Sequence, residues 1–175
     1  MPYTKITITL PITLAIINVL LVDIGGRPFA IPLASVEEAM ALDEGQVRAI
    51  ESREVLTVRG ASLPICRLER LFGMQPKGTS RRRAFVVITE VAERRLGLVV
   101  DELVGQRDIV IKPLGQSLSR ARGFAGATEL GDERVALVLD VAALIEEVLS
   151  PGEARFLPQT EGRGPDRRGG LQRRA

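Results

Sequence analysis

The sequence predicts an all-β protein built from small closed barrels, and three observations lead there. Short apolar runs alternate with turn signals along most of the chain, at a spacing too tight for long helices. Several runs, such as Leu98–Val100 and Val135–Leu139, are apolar at consecutive positions, so both faces of those strands must be covered. Strands this short and frequent leave the fewest exposed edges when their sheets close on themselves.

Ile16–Ile24 is the first long strand, turned at Gly25-Gly26-Arg27 into Phe29–Leu33 as a compact hairpin. Ser35–Leu42 has an ambiguous period and reads as a strand with Glu37 and Glu38 exposed. Glu54–Val58 and Ser62–Cys66, joined at Arg59-Gly60, form a second hairpin. Leu68, Leu71 and Phe72 then fall at helical spacing with Gly73 at the end, which predicts a short helix at Arg67–Phe72. The polar stretch Gln75–Arg83 reads as a solvated connection.

Phe85–Val91 and Leu96–Leu103 flank Ala92-Glu93-Arg94-Arg95 as a third hairpin. Asp108–Ile111 is a strand stopped by Lys112-Pro113, because proline has no N–H for a ladder and restrains its predecessor. Gly123–Leu130 and Val135–Leu139 make a fourth hairpin across Gly131-Asp132-Glu133, and Ala142–Leu149 reads as a closing helix before Ser150-Pro151-Gly152. The two halves therefore echo one another, from Ile16 to Phe72 and from Phe85 to Leu149: a hairpin, a further strand, a second hairpin, a short helix. The expected organisation is a domain at residues 16–150 with subdomains at about 16–76 and 84–149. Residues 151–175, rich in Gly, Pro and Arg, have too little apolar content to offset ordering entropy and are expected to be disordered.

The net charge of +2 is unevenly placed. Residues 1–150 carry 18 basic and 19 acidic side chains, whereas residues 151–175 carry six Arg against three acids. The body is thus not a binder of polyanions. Arg81-Arg82-Arg83 lacks the interleaved aromatics of a base-stacking surface, since aromatics are 3% of the chain and Trp is absent, so no nucleic-acid partner is expected. Ile6–Val22 is 17 residues without a charge, near the lower limit of about 17 for a spanning helix. Pro11 and the alternation Ile6-Thr7-Ile8-Thr9-Leu10 instead favour two strands bent at the proline, with no membrane insertion.

Catalytic chemistry finds little footing. Histidine is absent, which removes the usual general base, metal ligand and phosphoacceptor, and the single cysteine, Cys66, allows no intrachain disulfide. Asp101 and Glu102 are adjacent and point to opposite faces if on a strand, and Asp132-Glu133 sits in a tight turn. The glycine-rich Gly123–Gly131 has no Lys followed by Ser or Thr, as a phosphate loop requires. Cys66, on a strand after Pro64-Ile65, reads as a small core residue. No cofactor and no metal are expected, and the remaining function is to bind another protein through apolar surface.

Four pieces in a fixed order sharpen this expectation: ITITLPITLAIINVLLVDIGGRPFAIPLASVEE, VRGASLPICRLERLFG, GLVVDELVGQRDIVIKPLG and GFAGATELGDERVALVLDVAALI. Together, from Ile6 to Leu149, they resemble CheW-like domains, and more the C-terminal regulatory domain of the chemotaxis histidine kinase CheA than CheW itself. The resemblance implies two SH3-like five-stranded barrels and a non-catalytic role at cytoplasmic, membrane-associated receptor arrays. Its implied partners are a CheW-like adaptor, chemoreceptor cytoplasmic tips, and histidine kinase domains in cis or in trans. Lys5–Leu14 resembles the end of the kinase ATPase domain and the link onward, which leaves open a stand-alone adaptor, a broken or misstarted gene, or a kinase fragment. The contact residues expected are Leu56, Val58, Arg59 and Leu63 on the second hairpin, with Phe124 and Ala125 at the glycine-rich corner. The same Leu56, Val58 and Leu63 also suit a barrel interior.

Overall fold

A computed structural model of the chain describes residues 15–51, 53–74, 83–114, 122–131 and 134–150. Its strands are β1 (Ile16–Ile24), β2 (Arg27–Pro32), β3 (Val36–Ala41), β4 (Val47–Ile50), β5 (Arg53–Val58), β6 (Ala61–Arg67), β7 (Phe85–Val91), β8 (Arg94–Val100), β9 (Glu102–Val110), β10 (Phe124–Glu129) and β11 (Val135–Leu139). Two helices, α1 (Leu68–Leu71) and α2 (Val141–Leu149), follow β6 and β11. The fold class is as expected: mostly β, in two sheets, with a short helix closing each half. The Lys5–Leu14 segment, most of the Gln75–Arg83 connection and the 151–175 tail lie outside the described residues.

The strands are shared differently from the division at 16–76 and 84–149. One sheet has the order β10-β11-β2-β1-β9 and the other β3-β7-β8-β6-β5-β4, so each takes strands from both halves. The cause lies in the burial pattern of the first hairpin. Leu20 and Val22 in β1 and Ile31 in β2 face one way while Val19, Leu21 and Ala30 face the other, and all are buried. A hairpin apolar on both faces needs flanking strands and a second layer, which β9 on one side and β11 on the other supply. β3, which alternates between half-buried and exposed positions, goes to an edge of the other sheet against β7.

This alternation divides the apolar residues into three cores. Val19, Leu21, Ala30, Ile109, Ala136 and Val138 fill the five-stranded barrel. Leu56, Ile65, Val86 and Val99, with Met40, Val47 and Val58 packed beside them, fill the six-stranded one. The third core lies between the barrels and is the largest, joining Leu20, Val22 and Phe29 to Leu96, Leu98 and Val100 with Leu144 and Ile145 of α2. Asp140 caps α2 by accepting from the Ala143 N–H at 3.0 Å.

Other boundaries moved for local reasons. The expected strand Leu96–Leu103 breaks at Asp101, where the chain passes from one barrel to the other, and β9 then runs nine residues through a bulge opposite Leu21/Val22, with Gly105 at φ 142°. Asp101 is not simply solvated. Its carboxylate accepts from the Gly25 N–H at 2.6 Å and its own N–H donates to Asp23 O at 3.0 Å, pinning the crossover to the β1–β2 turn. β4 had no counterpart among the sequence expectations.

Candidate protein-docking surfaces

The barrels are closed by different means. In the five-stranded barrel, Lys112 and Ala127 exchange two backbone hydrogen bonds of 2.8 and 2.9 Å, joining the end of β9 to β10. Gly126 permits this approach, since a Cβ there would lie 2.7 Å from the Lys112 carbonyl oxygen and 2.6 Å from Ile111. In the six-stranded barrel the edge strands β3 and β4 do not pair, and beside that seam, between β3 and the end of β5, lies an open groove of about 240 Å³ lined by Met40, Asp43, Gln46, Leu56, Val58 and Arg59. A side-chain clasp spans it: Arg59 donates to Glu38 at 2.6 Å. The other Glu38 oxygen is buried with no hydrogen-bond partner among the described residues.

The second hairpin puts its expected contact residues in two different places. Its turn has Arg59 at φ 49° and Gly60 at φ 79°, the paired left-handed conformation of a tight two-residue connection. Leu56 and Leu63 face each other across the ladder at 3% and 4% exposure, so both side chains are spent on filling the barrel. Val58 is half-buried in the groove, and Arg59, its side chain 76% exposed, stands over it.

Phe124 and Ala125 open β10, after Gly123 at φ 85°. Phe124 belongs to an aromatic trio: its ring centroid lies 6.4 Å from that of Phe29 and 5.0 Å from that of Phe72. It therefore braces the packing between the barrels from a half-buried position, while Ala125 is exposed. The hairpin and the corner were expected on separate barrels, and they are: one on the six-stranded sheet, the other on the five-stranded sheet.

Sequence reasoning missed the exposed apolar side chains. Ile50 at the end of β4 is 52% exposed and Val135 at the start of β11 is 54% exposed, one on each barrel; Ile16 and Val104 are also exposed. The signal for Ile50 was the short apolar pattern Val47-Arg48-Ala49-Ile50, obscured by its length of only four residues. An ion-pair network ties the chain before β4 to the barrel. Arg67, its side chain 12% exposed, donates to both oxygens of Glu44 at 3.0 and 2.7 Å and to Glu54 at 2.8 Å. The paired guanidinium lowers the Glu44 pKa below the usual carboxylate range. Beside it, burial and the nearby Glu54 charge push the Cys66 thiol up to about 12, which leaves it inert at neutral pH and agrees with its reading as a core residue.

Two interlocked barrels with an apolar core between them place the chain among known proteins. The model of the CheW-like domain matches residues 18–149. The chain belongs to the CheW-like domain family. A chemotaxis protein CheA of Treponema pallidum (strain Nichols) is 41% identical to it over 112 residues, covering 63% of this chain and 14% of that protein. The sensor histidine kinase CheAY of Helicobacter pylori is 37% identical over 109 residues, 62% of this chain and 14% of that protein. The chain thus spans about a seventh of the length of these two relatives. The crystal structure of the scaffolding protein TtCheW from Thermoanaerobacter tengcongensis superposes with a TM-score of 0.64, covering 82% of this chain and 96% of that one at 17% identity, which shows a shared fold. Among the described residues no helix is long and apolar enough to cross a membrane, and residues 16–22 of the apolar run form most of β1.

Proposed function

We propose that this chain is a docking module of chemosensory arrays, coupling chemoreceptor tips and a CheW-like adaptor to the output of a histidine kinase. The observation that carries the reading is the pair of exposed apolar side chains on ordered strands, Ile50 and Val135, one on each barrel of a scaffold-family fold. Apolar side chains held on rigid strands bury without further ordering cost, so each barrel offers its own contact and the module bridges two neighbours. Val58, Arg59 and Ala125 are further contact positions, at the other ends of the same strand pairs from Ile50 and Val135. The setting is cytoplasmic, at membrane-associated arrays.

Co-sedimentation with receptor–CheW arrays tests this reading. The chain pellets with the arrays, and Ile50→Asp with Val135→Asp together lower the bound fraction at least tenfold while the circular dichroism spectrum stays unchanged. A folded, monodisperse chain that never associates with either partner overturns it.

A second reading is favoured by the relatives themselves, both far longer chains and one of them a sensor histidine kinase: the chain is the regulatory end of a CheA-type kinase and works only with separate ATPase and phosphotransfer domains. DNA upstream of Met1 encoding an in-frame ATPase domain supports it, and its absence removes it.

A further inference from the structure

Neither half of this chain is structurally complete. The half carrying β1–β6 and the half carrying β7–β11 meet in four strand pairings: β1 with β9, β2 with β11, β3 with β7, and β6 with β8. Separated, the first half would leave edges of β1, β2, β3 and β6 open and expose Leu20, Val22 and Ile31. The second would expose Leu96, Leu98 and Val100. Edges flanked by apolar faces are templates for pairing with another chain. The chain between Met74 and Arg83 is the only covalent tie between the halves. Every other contact joining them is non-covalent, and its register is indifferent to which copy supplies the complement.

We propose that two copies of this chain exchange halves, giving a dimer in which each two-barrel module takes β1–β6 and α1 from one copy and β7–β11 and α2 from the other. The occupant of the open edges is a second copy because the fit already exists: the interface of the exchanged dimer is the inter-half interface of the monomer. Exchange of identical elements is a low-cost route to dimers for this reason. The kinetics favour it as well, since Asn18 and Asp108 are 90 residues apart and a nearby copy competes with the chain's own second half during that search.

The β1–β9 ladder supplies the test. Asn18 and Asp108 are register partners on an exposed face, with Asn18 donating to Asp108 at 2.8 Å. In a Cys66→Ala background, one full-length chain carries Asn18→Cys and a second carries Asp108→Cys. The two are unfolded together, refolded over a range of concentrations and oxidised. The expected product is an 18-to-108 disulfide between copies, at twice the 19.0 kDa chain mass. Its fraction rises about tenfold for each tenfold rise in chain concentration while it remains a minor species. A single chain carrying both substitutions closes its own disulfide and shows that the variants fold.

A mixture that stays monomeric at every concentration while that control closes overturns the proposal. So does a dimer linked 18-to-18 or 108-to-108, which would be two intact monomers lying side by side. Should the control fail to close, a refolded mixture of isotopically labelled and unlabelled chains, without new cysteines, reads the same contact. Exchange gives filtered nuclear Overhauser effects between β1 and β9 of different copies, and their absence from a dimer, or the absence of a dimer, overturns it.

Discussion

The five-stranded and six-stranded barrels solve closure in opposite ways. The first completes its ring with main-chain hydrogen bonds between Lys112 and Ala127, which requires a glycine at 126 and a core of small residues, Ala30 and Ala136 among them. The second leaves its edge strands β3 and β4 unjoined and spans the groove beside that seam with the Arg59–Glu38 ion pair above Met40, Leu56 and Val58. Main-chain closure is short-range and sterically strict, whereas side-chain closure is solvated and replaceable. The difference predicts where each barrel is brittle.

The largest effect is expected at Gly126. Its added methyl group would meet a backbone oxygen at 2.7 Å, so Gly126→Ala should destabilise the fold by about 3 kcal/mol, at the upper end of overpacking costs, read as a lower urea midpoint. Gly97 of the six-stranded barrel makes the matching control. A methyl there meets only side-chain carbons, Val86 at 2.8 Å and Ile65 at 2.9 Å, and those can shift. Gly97→Ala should therefore cost about 1–2 kcal/mol. Equal losses at the two positions would break the contrast between strict and yielding barrels.

Next in size is the acid limb of the Arg67 network. Glu44 has its pKa lowered in the folded state by the paired guanidinium, so its contribution is present above the unfolded value of 4.5 and is lost as pH falls below it. Glu44→Gln should flatten the fall in stability between neutral pH and about pH 3, by roughly 1 kcal/mol or less because the carboxylate is mostly exposed. A titration of stability identical in the two proteins would remove Glu44 from the tether before β4.

The smallest effect belongs to the clasp. Arg59 is largely exposed, and Arg59→Ala should cost no more than about 0.5 kcal/mol of stability. Faster amide exchange at Thr57 and Val58 is expected without a change at Leu137 or Val138 in the other barrel. Faster exchange in both barrels would show that the seam is not a local feature.

Local structure was legible in the sequence because local rules govern it. Four of the five hairpins were read from their turn residues, β4–β5 being missed, and both helices from apolar spacing ended by Gly73 or Ser150-Pro151. The echo of hairpin, strand, hairpin and helix holds in both halves. What the sequence did not reveal is which strands meet across distance. Nothing in Ile16–Ile24 specifies β9 rather than β3 as its neighbour; the choice depends on which arrangement covers both faces of Leu20–Val22, and that is settled only when all strands are present. The contact set suffered from the same blindness. Leu56 and Leu63 are apolar residues on a hairpin, as Ile50 and Val135 are, and only the curl of the sheet decides which side chains point inward.

The crossing of strands between barrels also sets a timetable for synthesis. β1 and β2 leave the ribosome early, yet their neighbours β9 and β11 end only at Val110 and Leu139. At about 5–20 residues per second, the first hairpin waits roughly 5–20 s for β11 to be translated. Throughout that interval Val19, Leu21 and Ala30 lack the native cover of Ala136 and Val138, which leaves the nascent chain open to capture by holding chaperones. Translation speed across residues 102–139 is therefore a determinant of yield that no substitution in the finished fold would reveal.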